Sequence, residues 1–491
     1  MRLGWVHYSI GSQSGVEMVM RRFAGGLLSA DATLSIHFVG RAGPFIGDWT
    51  ALADGRVSYT DLPEMALGVW SQTPAAERHA LADELAAKLS TELEGCDAVI
   101  VENAAVGAHP AFNLAVARIL EGEALERTRF IFRAHDLAFS RPVNFAAIKA
   151  LAAETGLFAH DLLFPKGPRA LHLTVNRSDA YCLYSLGLPE EAIRYLPNPV
   201  DESLAGGGRL ANSLRAEMEK LGWVRPGEHL LIYPVRAVPR KNITEALLLT
   251  RLLNLLAAGK GGIPHALQPD GPFRLMVAIQ PEDQRSSHYV DLIGEFVARN
   301  DFEARLGLEE LIGPVCRLRK GERAAECFGV AELYAVGAAV VTTSVMEGFG
   351  FGFLEPWCAE RVTIGRRVPV MDDFVLAGMR MEHFYRQLTV DDRDFPHCGE
   401  PEPSIFAPVT NDFNEDGVRR RLQLILELDS GHRLGQFLTE NRWATERMLE
   451  ALVRPSRLVG HNRERAFAAF SLDKLTPRLS AAVRGEPDPA R

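Results

Sequence analysis

This 491-residue sequence lacks two features that mark membrane and secreted proteins. No run of about 18 apolar residues occurs, so the sequence predicts no membrane-spanning helix. Its six cysteines include no CxxC pair, which favours reduced thiols over a disulfide framework or a zinc site. The apolar stretch at residues 1–6 is too short for a signal peptide, so we expect a cytoplasmic protein.

An excess of basic residues is also missing. The chain has 54 lysines and arginines against 63 aspartates and glutamates, a formal net charge of −9. Because nucleic acids are bound through basic surfaces, this balance argues against DNA or RNA as a partner. The sequence also lacks a P-loop, a GxSxG elbow and an HExxH motif. The acidic run at 391–394 resembles a metal-binding pattern but has no strand before it. We therefore expect solvated surface there, and neither a metal nor another cofactor.

What the sequence does contain is a repeated alternation of short β-type runs with helical stretches, which is typical of parallel α/β sheets. The alternation starts twice, and the chain is too long for one hydrophobic core. We therefore expect two Rossmann-like doubly wound domains. The predicted strands are 3–8, 35–39, 98–101, 130–133, 171–175 and 194–196 in the first series, and 230–235, 274–279 and 339–343 in the second.

The domain limits follow from these two series. The first α/β domain is predicted over 1–205, the second over 229–440, and further helices over 441–483. Two long polar stretches, 257–272 and 368–406, are interpreted as insertions. The tail from Arg484 is expected to be disordered because it is short of apolar residues.

The most specific local pattern is a glycine-rich turn between a predicted strand and a helix. Gly348, Gly350 and Gly352 allow a sharp turn and a close approach of the backbone to a ligand. N–H groups at the helix start favour an anion such as a diphosphate. Glu347 and Glu355 flank the turn, where they suit contacts with a sugar and with ribose hydroxyls. The alternative is an ordinary glycine-rich turn in which Glu355 favours the helix dipole.

A basic stretch at 233–242 ends the first predicted strand of the second series. Ligands of doubly wound sheets bind outside such strand ends. Arg236 and Lys241 would there neutralise the charge that develops on a departing diphosphate. A solvated basic turn is the alternative interpretation.

Two further turns follow strands of the first series. Segment 11–17, with Ser14 and Gly15, would bring backbone N–H groups toward a phosphate, or is a tight turn with a serine helix cap. His135 and Asp136 follow the strand at 130–133, where the histidine would hydrogen-bond substrate oxygens. An isolated His-Asp pair is more often structural, so both interpretations stay open.

In this order, the patterns resemble the retaining nucleotide-sugar glycosyltransferases of family 4, which have the GT-B fold. Glu347 and Glu355 resemble the E-x7-E motif of that family, within an EGFG loop. Arg236 and Lys241 resemble its paired Arg and Lys. Residues 197–201 resemble the domain-closing PNGVD motif, and 462–479 resemble the helix that crosses back onto the first domain.

Two departures from the family pattern affect its turns. Ser14 replaces the first glycine of a double glycine, which places a Cβ near the expected phosphate. Pro199 replaces a glycine, which fixes φ at that position.

The resemblance implies two Rossmann-like domains facing a cleft, with a C-terminal helix on the first domain. It also implies the following roles: His135, Arg236, Lys241 and Glu347 in catalysis, Ser14, Gly15, Gly348, Phe349, Gly350 and Glu355 in donor binding, and Asp136 in acceptor binding.

The function that we expect from the resemblance is transfer of a hexose from a nucleotide-diphosphate sugar to an acceptor hydroxyl, with retention and without metal. The alternatives are a nucleotide-sugar epimerase of the same architecture, a non-catalytic sugar-binding protein, and an inactive relative that acts as a scaffold. The sequence leaves open the donor base, the sugar and the acceptor, whether a small molecule or a lipid-linked glycan.

Overall fold

The computed structural model describes residues 1–12, 14–52, 55–123, 125–279, 284–308, 311–312, 328–390, 393–395 and 415–490. These residues fall into two compact units. Unit one contains residues 1–199 together with 470–490, and unit two contains 200–395 together with 415–469.

Unit one is built on a parallel sheet of seven strands. They are β1 (Arg2–Ile10), β2 (Ser35–Ala42), β3 (Val57–Asp61), β4 (Ala98–Glu102), β5 (Arg129–Ala134), β6 (Ala170–Thr174) and β7 (Ile193–Tyr195). Their order across the sheet is β3-β2-β1-β4-β5-β6-β7. Every residue of the interior strands β4 and β6 is buried, because helices cover both faces of a parallel sheet.

The helices that connect these strands each bury at least one apolar side chain. They are α1 (Gly15–Ala30), α2 (Ile46–Thr50), α3 (Val69–Gln72), α4 (Arg78–Glu92), α5 (Pro110–Glu121), α6 (Pro142–Thr155), α7 (Ala159–Leu163) and α8 (Arg177–Ser185). On α1, for example, Val19, Phe23 and Leu27 are buried at helical spacing.

Unit two is built on a second parallel sheet of five strands. They are β8 (His229–Arg236), β9 (Phe273–Ile279), β10 (Ala304–Leu306), β11 (Ala339–Thr342) and β12 (Thr363–Gly365), in the order β10-β9-β8-β11-β12. An antiparallel pair is formed by β13 (Leu388–Val390) and β14 (Arg393–Phe395).

Ten helices of unit two lie in the described part of the chain. They are α9 (Ala211–Lys220), α10 (Ile243–Ala257), α11 (Gln284–Arg299), α12 (Val330–Val336), α13 (Glu355–Cys358), α14 (Met371–Leu376), α15 (Glu415–Glu427), α16 (Gly431–Glu440), α17 (Arg442–Val453) and α18 (Ser456–Phe470). Helix α10 is buried on almost all sides, as its leucine-rich sequence requires.

The last helix, α19 (Leu472–Arg484), belongs to unit one. The helices predicted over 441–483 are thus divided, because α17 and nearly all of α18 belong to unit two. Helix α19 packs on α1 at Gly26, where a Cβ would lie 2.5 Å from the Thr476 hydroxyl oxygen. Glycine is therefore required for this close approach.

The expectation that the tail from Arg484 is disordered is wrong for the residues up to 490. Asp488 is buried, and its Oδ2 lies 2.9 Å from Nη2 of Arg478. The same Nη2 donates to the Tyr195 carbonyl at 2.6 Å. This ion pair holds a polar segment whose composition alone indicated disorder.

The interpretation of 368–406 as a polar insertion is also wrong for its first part. Helix α14 lies there, and Met371, Phe374, Phe384 and Tyr385 are buried. Their spacing in the sequence is irregular because short turns separate them. The expectation that no strand precedes the acidic run at 391–394 is wrong, because β13 ends at residue 390. Residues 391 and 392 of the run, and 396–406, lie outside the described residues.

One ion pair in unit two is buried completely. Arg366 follows β12, and its Nη2 lies 2.6 Å from Oε2 of Glu245 in the first turn of α10. Glu245 also accepts from the Tyr385 hydroxyl at 2.7 Å and from Nδ2 of Asn242 at 2.9 Å. The pair therefore fixes the start of α10 against the sheet.

Strand order positions the predicted functional turns. In each sheet the order reverses between two central strands, β1 and β4 in unit one and β8 and β11 in unit two. Ligands of doubly wound folds bind at the carboxyl ends of the strands next to such a reversal. Segment 11–17 follows β1, and the turns at 236–242 and 343–355 follow β8 and β11.

Candidate functional site

The two turns of unit two are joined through the hydroxyl group of Tyr233. This oxygen donates to the Lys241 carbonyl at 2.6 Å and accepts from the Thr343 N–H at 3.1 Å. It also lies 3.1 Å from the Ser344 hydroxyl. Because one side chain of β8 binds the backbone of both turns, their relative position is fixed before any ligand binds.

Lys241 and Glu347 are in contact at this edge of the sheet. The Lys241 ammonium donates to Oε1 of Glu347, and the two side chains are only 11% and 13% exposed. Arg240 adds a second cation, since its Nη1 lies 3.4 Å from Oε2 of Glu347 and donates to the Met346 carbonyl at 3.1 Å. The structure thus brings together two residues that the sequence placed in one site.

The charge state of Glu347 follows from these contacts. Burial alone would raise the pKa of its carboxyl group, but the charges of Lys241 and Arg240 outweigh burial and lower the pKa to about 2. Glu347 is therefore ionised at neutral pH. An ionised carboxylate only accepts hydrogen bonds, as contact with sugar hydroxyls would require.

The glycine-rich turn between β11 and α13 has one position that requires glycine. Gly350 has a φ of +89°, and a Cβ there would lie 2.8 Å from the Phe353 ring. Phe349 is buried and packs edge-on against Phe374, with ring centroids 5.7 Å apart. Glu355 is also buried and is the first residue of α13. The sequence-based donor role of this turn remains a prediction.

The sequence and the structure indicate different arginines for the candidate site. Arg236, the residue selected from the sequence, is exposed at the end of β8. Arg240, which contacts Glu347, was not selected. Arg240 and Lys241 lie in one short helical turn at 239–241, and the sequence holds no pattern that identifies Arg240 as the second partner of Glu347.

In unit one, segment 11–17 forms the serine cap that the sequence offered as one alternative. The Ser14 hydroxyl accepts from the Glu17 N–H at 3.3 Å at the start of α1. Glu17 is buried, and its carboxylate accepts from the N–H groups of Ser12 at 2.9 Å and Ser14 at 3.2 Å. Gly15 is exposed, and a Cβ there would meet no atom within 4 Å. Gln13, in the same segment, lies outside the described residues.

His135 belongs to a buried polar network. Its Nε2 contacts Oε1 of Glu102, which also lies 3.0 Å from Nη1 of Arg133. Its Nδ1 lies 3.4 Å from Nδ2 of Asn198, and the second carboxylate oxygen of Glu102 accepts from the Trp5 indole at 2.8 Å. The network joins the ends of β4 and β5 to the turn at 197–201.

Burial and charge set the protonation of this network. Burial, reinforced by the Arg133 charge, lowers the pKa of His135 more than Glu102 raises it, so the ring is neutral at pH 7. Burial would raise the pKa of Glu102, but Arg133 and His135 lower it to about 2. The sequence did not select Glu102, Arg133 or Asn198 as site residues.

Asp136, the expected acceptor-binding residue, has partners within its own loop. Its Oδ2 accepts from Nε of Arg141 at 3.0 Å, and its Oδ1 accepts from the Ser140 hydroxyl at 2.8 Å and from the Leu137 N–H at 3.1 Å. These bonds fix the start of α6. The acceptor role of Asp136 stays a prediction.

The described residues include neither a metal-binding cluster nor a membrane-spanning helix. No group of three histidine, cysteine, aspartate or glutamate side chains there is arranged to hold a metal ion. None of the helices in the same part of the chain has the length and apolar character needed to cross a membrane.

Comparison with known proteins identifies the fold. No protein-family model matches the chain. Mannosylglucosyl-3-phosphoglycerate synthase of Petrotoga mobilis is 25% identical over 375 residues, which cover 75% of this chain and 65% of that protein. The match therefore spans less than two thirds of the relative.

Solved structures match over nearly the whole chain. HepE of Anabaena, solved in complex with UDP-glucose, has a TM-score of 0.56 at 12% identity and covers 99% of this chain and 100% of its own. Sucrose-phosphate synthase of Thermosynechococcus elongatus has a TM-score of 0.57 at 13% identity, covering 99% and 98%. The chain has the two-sheet α/β fold of the GT-B glycosyltransferases, as the sequence predicted.

Proposed function

We propose that this chain is a retaining glycosyltransferase of the family 4 type, which transfers a hexose from a nucleotide-diphosphate sugar to an acceptor hydroxyl. The observation that carries the proposal is the contact of Lys241 with Glu347, flanked by Arg240, at the carboxyl edge of the second sheet. Fixed cations at this edge suit a leaving diphosphate, and a buried ionised carboxylate suits sugar hydroxyls.

In the proposed donor site, the cationic side chains bind phosphate and the carboxylates bind hydroxyl groups. Lys241, Arg240 and Arg236 bind the diphosphate and stabilise the charge that develops as the glycosidic bond to phosphate breaks. An ammonium group has three N–H donors, so Lys241 serves a phosphate and Glu347 together. Glu347 accepts from hydroxyls of the transferred sugar, and Glu355 accepts from the ribose.

Retention follows in this proposal if a donor phosphate oxygen takes the proton of the acceptor hydroxyl on the face that the diphosphate leaves. No side chain then needs to act as a base. His135 is proposed as a positioning residue, since both its ring nitrogens face protein groups.

The name of the relative in Petrotoga mobilis indicates which acceptors to test first. That protein is named for a glycosylated 3-phosphoglycerate. We therefore propose that acceptor screening begin with phosphoglycerates that carry a sugar, followed by neutral sugars and lipid-linked glycans.

The function is tested by donor binding and then by turnover. Thermal unfolding of the full chain is followed with UDP-, GDP- and ADP-sugars, and one donor is expected to raise the midpoint because it binds only the folded state. Release of the nucleotide diphosphate should then depend on an acceptor. Free sugar released from the donor alone would indicate an epimerase, and binding without turnover would indicate a sugar-binding protein.

Excess EDTA is expected to leave turnover unchanged, because Lys241, Arg240 and Arg236 supply the positive charge that a metal would otherwise provide. The measurement compares initial rates before and after dialysis against EDTA. Lost activity that is restored by added magnesium or manganese would contradict this proposal.

Glu347→Gln is expected to tighten binding of the free nucleotide diphosphate while lowering the rate of sugar transfer. Removing a negative charge about 4 Å from a phosphate is worth about 1 kcal/mol at the dielectric constant of water, or roughly fivefold in Kd. Glu295→Gln, which alters an exposed pair on α11 with Arg299, is the control. Nucleotide binding that is unchanged or weaker in Glu347→Gln would show that the charge of Glu347 does not act on the diphosphate.

A further inference from the structure

Unit two has a cavity of about 590 Å³ that the proposed donor site does not use. Its lining includes residues just before β11 and just before β12, and one face of helix α18. Since the strands are parallel, these residues lie at the amino ends of β11 and β12, whereas Lys241 and Glu347 follow the carboxyl ends of β8 and β11. The volume lies in the range of about 300–1,000 Å³ that is usual for sites of small molecules.

Helix α18 keeps this cavity open. Ser456, Val459, Gly460 and Arg463 line it at the spacing of one helix face. A Cβ at Gly460 would meet no atom within 4 Å, so the position is open. Glycine is a poor residue for a helix interior, and here its missing side chain leaves room in the cavity.

The cavity is lined by two arginines and one glutamate. Burial lowers the pKa of Arg361 more than the charge of Glu360 raises it. Its Nη1 donates to the Glu360 carbonyl at 3.0 Å and its Nη2 to the Ala335 carbonyl at 2.7 Å, which leaves one further N–H on each nitrogen. Its Nε is buried with no hydrogen-bond partner among the described residues. Nη1 of Arg463 lies 2.7 Å from Oε1 of Glu360. The charge balance of the lining is therefore positive, with one guanidinium in excess.

Glu360 occupies a position that favours glycine. Its φ is +59°, and the Arg361 N–H donates to the Pro356 carbonyl at 2.8 Å, which closes the end of α13. A left-handed residue after a helix is usually glycine, because a Cβ is disfavoured there. The glutamate side chain instead places a carboxylate against Arg463 in the lining of the cavity.

We propose that this cavity binds a small phosphomonoester of a sugar or polyol, with its phosphate on Arg361 and Arg463. Guanidinium groups bind phosphate through charge-assisted N–H donors, and the one guanidinium in excess over Glu360 favours an anion in this cavity. The Ser456 hydroxyl, on the same wall, is a partner for a polyol hydroxyl. The site stands whether or not the proposed transferase function holds.

The test is isothermal titration of the full chain with glucose 6-phosphate, with glucose and inorganic phosphate as separate probes. We expect saturable binding of one glucose 6-phosphate per chain, no binding of glucose, and weaker binding of inorganic phosphate. Arg463→Gln should weaken binding about tenfold, as expected for a lost charged hydrogen bond. Gly460→Leu should abolish binding by filling the cavity.

Two further variants separate this cavity from other sites. Arg442→Gln removes an exposed arginine of α17 that pairs with Glu446, and it should leave binding unchanged. Lys241→Ala should also leave it unchanged, because Lys241 lies at the other edge of the sheet. The thermal midpoint of each variant verifies folding. No saturable binding, binding that Gly460→Leu retains or Lys241→Ala abolishes, or equal affinity for inorganic phosphate would overturn the proposal.

Discussion

Lys241→Ala is expected to lower kcat for sugar transfer by about 100-fold or more, the usual cost of losing one electrostatic stabiliser of a transition state. The side chain is buried in contact with Glu347, and the Tyr233 hydroxyl donates to the backbone carbonyl of Lys241. The variant removes a cation that is already in position when negative charge develops on the diphosphate. The measurement is the initial rate of nucleotide diphosphate release with donor and acceptor both saturating.

The matched control for Lys241 is Lys260→Ala. Lys260 is half-exposed and pairs with Asp429, so this variant should keep the parent kcat. Arg236→Ala removes a second fixed cation, so it is also expected to lower kcat by about 100-fold. Parent turnover in Lys241→Ala, with an unchanged thermal midpoint, would refute the role of this residue.

Arg366→Leu is expected to lower the free energy of unfolding by about 3–5 kcal/mol, the usual cost of breaking a buried ion pair. Both Arg366 and Glu245 are 0% exposed, so the variant leaves a buried carboxylate without its paired guanidinium. The measurement is urea unfolding followed by tryptophan fluorescence, because Trp357 of the same unit is buried.

Arg442→Leu is the surface control for Arg366→Leu. Its pair with Glu446 is exposed, so its loss should cost at most about 1 kcal/mol. Replacing Arg366 and Glu245 together with leucine should recover part of the lost stability, because no unpaired charge then stays buried. A double variant less stable than Arg366→Leu would show that Glu245 stabilises the unit through Asn242 and Tyr385 instead.

The interior strands were predictable because burial on both faces requires continuous apolar runs. All nine strands expected from the sequence are present. The missed strands of the parallel sheets, β3, β10 and β12, have three to five residues each. Short strands carry few side chains for a pattern, and β3, β10 and β12 are all edge strands of their sheets.

The candidate site was predictable where strand topology alone brings residues together. Lys241 and Glu347 are 106 residues apart but follow neighbouring strands. Arg240 was missed because its contact depends on the geometry of one turn, which spacing does not reveal. Glu102 ends β4, which neighbours β5, so strand topology also indicated its contact with His135. Asn198 was missed because it lies in a turn after β7, 63 residues from His135, and strand order does not place a turn residue.

The carboxylate of Glu17 affects anion binding at the loop that follows β1 in unit one. The Glu17 carboxylate already accepts from the N–H groups of Ser12 and Ser14. These two donors of the loop are therefore satisfied without a bound anion. A phosphate arriving there would meet a like charge instead of two vacant donors. In the proposed donor site, neutralising a diphosphate then depends on basic side chains, and a change at Glu17 is expected to alter anion affinity without changing any of them.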